Sequence, residues 1–369
     1  MKKQLINNLT KLVACQSVTG NQKEIKKALQ IIDKELQQIF PFIKKEYEKN
    51  DVQSVVWLTK DTLKPDIILN AHVDVVPASK GMFKVKINNG KILGRGVSDM
   101  KFSIASFIEV VRELNKENKL KDLSLGIMIT GDEEVGGFNG VGYLVNEIGY
   151  RPKLVIIPDG ADNWKISEKA KGGCWVQLST TGKSAHASKP WEGVSATEKL
   201  IDVLSWIKNK YPNPTKDIHV TSINIGKISG GTALNQVANQ AQADLDIRYT
   251  KELTADEIIT SINKKFPNVK TKKLLEKPFF GVDKNHPAIQ RWVNLIKDIH
   301  DQKHPNENIF IAESGSADHH YFSEHGIPVL LSKPSGGLIH TEDEWLDEED
   351  FYLYTKLLTK YVKEVISNS

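Results

Sequence analysis

The stretch LSLGIMITGDEEVGG, residues 123–137, frames the fold. Its apolar core, Leu125–Ile129, shows no polar alternation and reads as a strand covered on both faces, as parallel-sheet strands are. Thr130-Gly131 and three consecutive carboxylates, Asp132, Glu133 and Glu134, follow directly. An acidic loop in solvent is the ordinary reading of such a run. So apolar a strand argues instead for a buried mouth, where carboxylates are costly unless a cation offsets them.

The same pattern recurs on either side. Ile67–Asn70 reads as a strand that leads into Ala71-His72-Val73-Asp74. Residues i and i+2 of an extended chain share a face, so His72 and Asp74 can point into one cavity, although a surface pair or a core histidine reads equally well. Leu154–Ile157 leads into Pro158-Asp159-Gly160, which a plain turn also explains. In the run Gly94–Lys101, Asp99 opens a helical pattern over 99–114, where capping is the usual role of Asp. Ser335–His340 is a Gly-rich loop ending in a histidine. Further helical patterns cover 21–38 and 141–147, and 52–58 reads as a strand. Alternating strands and helices predict an α/β domain with a mainly parallel sheet, its ligand-binding residues at the carboxyl ends of the strands.

The pattern changes after Lys171-Gly172-Gly173. Strands are expected at 174–181, 220–228, 236–249 and 269–275, and helices at 194–208 and 255–265. From His286 the first pattern resumes, with helices at 287–300 and 349–366 and strands at 309–312 and 328–331. The reading is a discontinuous domain, 1–171 and 283–369, with a second domain, 172–282, inserted into it.

Composition narrows the function. The 369 residues carry 50 basic and 46 acidic side chains, a balance that argues against nucleic acid. Cys15 and Cys174 are the only cysteines, so metal would be held by His, Asp and Glu rather than thiolate, and a disulfide framework is not expected. Leu5, Leu9, Leu12 and Val13 fall at helical spacing behind Lys2-Lys3, an amphipathic helix rather than a leader peptide. No run reaches a membrane span, so no membrane partner is expected and the location inferred is cytoplasmic. Two imidazoles with several carboxylates form a nitrogen-and-oxygen zinc set, and a shared carboxylate would suit two metals.

In order and wording these clusters resemble the di-zinc exopeptidase and deacylase family, metallopeptidase family 20. The resemblance runs from LVACQSVTG (12–20) through AHVDVVP (71–77), GRGVSDMK (94–101) and GDEEVGG (131–137) to GGLIHTEDE (336–344). It implies a zinc-exopeptidase-like catalytic domain with an inserted α+β, ferredoxin-like lid through which such chains form homodimers. It implies that His72 and Asp159 bind one zinc, that Glu134 and His340 bind the other, and that Asp99 bridges them. Cobalt or manganese would also suit these donors. Glu133 would be the general base acting on a bridging water, and Asp74 would orient His72. Asp343 and Glu344 fall where the family has polar residues behind the last histidine. In the lid, His186 would touch the substrate carbonyl, Asn235 would contact substrate, and Arg248 would grip a substrate carboxylate, although from its strand position alone a surface salt bridge is the plainer reading. Gly336 is carried over as a further substrate contact.

Two departures stand out: Phe102 follows the DMK triplet where a glycine is usual, and Ser314–His319 replaces a Thr-Ser-Asp-Gly-Arg segment that shapes the pocket. The activity implied is hydrolysis of the amide of an N-acyl amino acid, as in acetylornithine deacetylase or succinyl-diaminopimelate desuccinylase. The rivals are a dipeptidase or carboxypeptidase on the same centre and, more remotely, a non-catalytic binding protein that kept the fold.

Overall fold

The computed structural model describes residues 1–216, 219–315 and 317–366. The chain divides into two compact units, Met1–Glu168 with Gly281–Ile311 and the chain from Ala317, and Lys169–Phe280 with Ala312–Ser316.

The first unit opens with helices α1 (Lys2–Val13) and α2 (Gln22–Gln37). Leu5, Leu9, Leu12 and Val13 of α1 are all buried, the apolar stripe that the spacing predicts. Its central sheet takes β1 (Ile43–Lys49), β2 (Val52–Leu58), β3 (Ile67–His72), β4 (Leu125–Thr130) and β5 (Leu154–Ile157) from the first stretch of chain. Helix α3 (Lys101–Lys116) lies between β3 and β4 in sequence.

The second unit is built from β6 (Gly172–Thr181), α4 (Ala196–Lys210), β7 (Ser222–Gly230), β8 (Gln240–Tyr249), α5 (Ala255–Lys265) and β9 (Lys270–Lys277). All its ladders are antiparallel, in the order β7-β8-β6-β9. That βαββαβ sequence in that order is a ferredoxin-like sheet. Its own core joins Val176 and Leu178 of β6, Leu200, Val203 and Ile207 of α4, and Ile258 and Ile262 of α5.

The chain then returns to the first unit with α6 (Pro287–Lys303), the short α7 (His319–Ser323), β10 (Val329–Leu331) and α8 (Glu348–Ile366). The central sheet has the order β1-β2-β4-β3-β5-β10. β3, β4, β5 and β10 are parallel, and only β2 runs against the rest. Every residue of β3, β4 and β5 is buried, which is why these strands read as unbroken apolar runs. Their carboxyl ends deliver His72, Gly131-Asp132-Glu133 and Pro158-Asp159 to one side of the sheet.

Several elements differ from expectation. The helix expected over 141–147 is one α-turn, Val141–Tyr143, continued by a wider π-type turn, Leu144–Ile148. β1 went unread because IKKEYEK is a charged edge strand, as edges must be to avoid pairing with other chains. Phe102 packs edge-on against Phe351 and Tyr354. Of the segment Ser314–His319, Ser316 lies outside the described residues. No helix among the described residues is long and apolar enough to cross a membrane.

Candidate metal centre and active site

The strand ends, the start of α3 and the loop after Gly336-Gly337 bring together six side chains that the sequence scatters from His72 to His340. Ligand atoms of His72, Glu133 and Asp159 lie within 4.8 Å of one another, and so do those of Asp99, Glu134 and His340. Asp99 faces both groups. Its Oδ1 lies 3.3 Å from His72 Nε2, and its Oδ2 lies 3.1 Å from His340 Nε2. His340 Nε2 is also 3.1 Å from Glu134 Oε2, and His72 Nε2 is 3.9 Å from Glu133 Oε2.

Local structure fixes each group. His72 Nδ1 is turned to Asp74, 3.0 Å from its carbonyl oxygen and 3.4 Å from Oδ1. A proton on Nδ1 leaves Nε2 with its lone pair aimed at the carboxylates, and Nε2 is buried without a hydrogen bond. The acidic turn is folded by Asp132, whose Oδ2 accepts the amides of Asn139 and Gly140 at 2.9 and 3.1 Å. Tyr321 donates from its hydroxyl to Gly136 O at 2.8 Å. Glycine is required at 140, where a Cβ would sit 2.2 Å from Asp132 Oδ1. Gly336 is another close approach, its Cβ position 2.6 Å from Ser98 Oγ.

Glu344 joins the two chain segments that carry Asp99 and His340. Fully buried, it accepts Arg95 Nη1 (2.7 Å) and Gly96 N (3.0 Å) on Oε2, and Ser98 N (2.9 Å) and Asp99 N (3.1 Å) on Oε1. Arg95 Nη2 reaches on to Thr341 O at 3.1 Å.

The electrostatics are those of an anionic pocket. Burial works against the charge on Asp99, but the hydrogen bond from His340 and the imidazole of His72 beside it outweigh it and hold its carboxyl well below the usual range. Burial and the Asp99 charge push Asp159 up to about 6. Hydrogen bonds to Asp99 and Glu134 push His340 up to about 10. Burial opposes the charged form of His72, yet the carboxylates of Asp74 and Asp99 beside it keep it raised. Four carboxylates against two imidazoles, with an orphaned imidazole nitrogen among them, form a donor set that fits divalent cations.

Lys333 was not anticipated. It is buried, lies 2.8 Å from Asp162, and is held protonated against burial by the charges of Asp162, Asp159 and Asp99. Its signal was present in the sequence: it ends the apolar run Val329–Leu331, just as the acids end theirs.

The remaining expected residues belong to the second unit. His186 bonds Ser188 through Nδ1 (2.8 Å), and residue 186 bridges Gln236. Asn235 accepts the Ala187 amide at its carbonyl, which ties the two loops together. Arg248 holds Asp246 with both Nε (2.9 Å) and Nη2 (3.0 Å), the surface ion pair that its strand position suggests.

Known proteins resemble the chain in sequence and in fold. The family model described as "Peptidase family M20/M25/M40" matches residues 68–364. The succinyl-diaminopimelate desuccinylase of Pelagibacter ubique is 26% identical over 333 residues, 83% of each chain. Aminoacylase-1 of Mus musculus is 28% identical over 348 residues, 83% of this chain and 82% of its own. In fold, the chain matches a tripeptidase from Staphylococcus aureus at a TM-score of 0.76 and 21% identity, covering 100% and 99% of the two chains. The chain belongs to peptidase family M20/M25/M40 and is a hydrolase of amide or peptide bonds, in a family that depends on metal.

Proposed function

We propose that the chain hydrolyses the amide bond of an N-acyl amino acid at a two-zinc centre, with Glu133 as general base. The observation that carries this reading is Asp99, whose two oxygens face two different histidines while Glu133 stands across the same cluster. His72 and Asp159 would hold one ion, Glu134 and His340 the other, and Asp99 both. When bound, the ions supply Lewis acidity toward water and toward the scissile carbonyl.

The chain's own groups do the rest. Glu133 takes the proton of the attacking water and returns it to the leaving amine. Asp74 keeps the His72 tautomer whose unprotonated Nε2 can bind a metal ion through its lone pair. His186 donates to the developing oxyanion, Asn235 and Gly336 line the substrate, and Arg248 exchanges Asp246 for the substrate carboxylate. The second unit serves as lid and as the contact for a homodimer. That is supported by its ferredoxin-like topology and by Ile201 of α4 and Ile228 of edge strand β7, 57% and 60% exposed. The location proposed is the cytoplasm.

The likeness in fold to a tripeptidase supports a second reading, a peptidase on the same centre. Turnover of N-acetyl and N-succinyl amino acids against di- and tripeptides, by zinc-loaded protein, separates them. Cleavage of the acylated amino acids is expected; cleavage of peptides alone overturns the deacylase reading.

A further inference from the structure

The segment LVACQSVTG, residues 12–20, carries part of the family resemblance yet has no part in the function proposed above. In the structure it lies against the site. Ser17-Val18-Thr19 runs beside the chain that continues β3, with Val18 bridging Val75 in parallel. Val75 N donates to Ser17 O (3.0 Å), Thr19 N to Val75 O (3.2 Å), and Ser17 Oγ to Val73 O (2.6 Å). The other side of the segment is tied to α2. Gln16 N donates to Glu24 Oε2 at 3.1 Å, and Asn21 Nδ2 to Gln16 O at 3.1 Å.

Held in this way, Thr19 donates from Oγ1 to Asp74 Oδ2 at 2.8 Å. The other partners of that carboxylate show what it supports. Oδ1 accepts the amide of Glu133 at 3.2 Å, and Oδ2 accepts the amide of Glu134 at 3.3 Å. His72 Nδ1 lies closer to the Asp74 carbonyl, 3.0 Å, than to Oδ1, 3.4 Å. The carbonyl therefore makes the shorter contact with the imidazole, while each carboxylate oxygen takes one amide of the acidic turn. Two consecutive amides on two oxygens of one group hold the two peptides on either side of the Glu133 Cα, and with them the direction in which the Glu133 side chain leaves. A carboxylate turns easily about its last torsion, which is broad, whereas a β-branched Thr is stiff at χ1.

We propose that Thr19 is a positioning residue for the reaction: by fixing the Asp74 carboxylate against the amides of Glu133 and Glu134, it places the general base. This rests on the reading of Glu133 as base.

Thr19→Val keeps the shape and removes the donor. With the best substrate of the panel, kcat of the zinc-loaded protein is expected to fall about tenfold, of the order of one lost hydrogen bond to a charged group. KM and bound zinc should not change. Thr19→Ser should restore kcat, and Thr19→Ala, a second deletion of the same hydroxyl, should repeat the loss. Because Thr19 acts through Asp74, Thr19→Val should cost little more in an Asp74→Asn background. A purely structural role would lower Tm and leave kcat per folded molecule unchanged. Wild-type kcat in Thr19→Val, or losses that multiply with those of Asp74→Asn, overturn the proposal. Glu133→Gln, run in parallel, keeps the two readings apart. If it retains turnover, the base assignment fails; if it is inactive while Thr19→Val is normal, only the role of Thr19 fails.

Discussion

Glu344→Gln tests whether one buried carboxylate holds the Asp99 and His340 segments in register. Glu344 accepts four N–H donors at 2.7–3.1 Å, two on each oxygen, and one belongs to the Arg95 guanidinium. Glutamine has the same shape but offers one acceptor and one donor. Whichever way the amide turns, its NH₂ meets two donors and two bonds are lost. Breaking a buried pair of this kind costs about 3–5 kcal/mol. Burial and the Asp99 charge push the Glu344 carboxyl above its ordinary value despite its donors, so part of the interaction already offsets desolvation. The expected loss is therefore at the lower end, about 3 kcal/mol. That is a large share of the roughly 5–15 kcal/mol of a typical domain. The assay is urea unfolding of chelated protein, so that metal affinity does not enter the measured stability, followed by the signal of Trp57, Trp164 and Trp292, which are buried in the first unit. Once refolded, the variant should bind metal about 10–100-fold more weakly, because the amides of Ser98 and Asp99 are released. A loss under about 1 kcal/mol, with metal affinity unchanged, would show that the Glu344 carboxylate positions nothing.

Three further outcomes are expected. Asp99→Asn, which removes the charge from the carboxylate facing both histidines, should leave the purified protein short of metal at both positions by elemental analysis; one full equivalent would mean that Asp99 serves a single ion. Gly140→Ala places a Cβ 2.2 Å from Asp132 Oδ1, so the acidic turn must open, with most turnover lost while the circular dichroism of the helices is retained. In chelated protein the His340 pKa is raised to about 10 by Asp99 and Glu134, so this pairing stabilises fully below the unfolded value of about 6.5 and is lost as pH rises through 10. Tm should fall between those pH values, and His340→Ala should flatten the fall.

How far the sequence reveals this arrangement varies with the kind of residue. β3, β4 and β5 were legible because strands covered on both faces must be apolar throughout, and the run Asp132-Glu133-Glu134 stood out because carboxylates at the mouth of such a strand are costly without a cation. His72 and Asp159, which a core histidine and a plain turn explained equally well, took their roles from the family resemblance. The hairpin Lys86–Asn88 and Lys91–Leu93 was missed although Asn89-Gly90, both at positive φ, signals it. Arg248 and Asp246 lie two apart on one strand, so their pairing was readable. The contact of Asp99 with His340 spans 241 residues, and nothing local in either segment announces the other. Lys333 and Thr19 each ended or flanked a recognisable stretch, but their partners lie elsewhere in the chain and only folding brings them together.

The central claim is a metal pair served by Glu133 as base. The most direct test measures bound zinc and kcat on the same sample of Glu133→Gln. Two zinc ions per chain, retained with kcat reduced about 10²–10⁴-fold, are the expected result. Normal turnover in that variant, or a wild-type protein that is fully active with one ion or none, would contradict it.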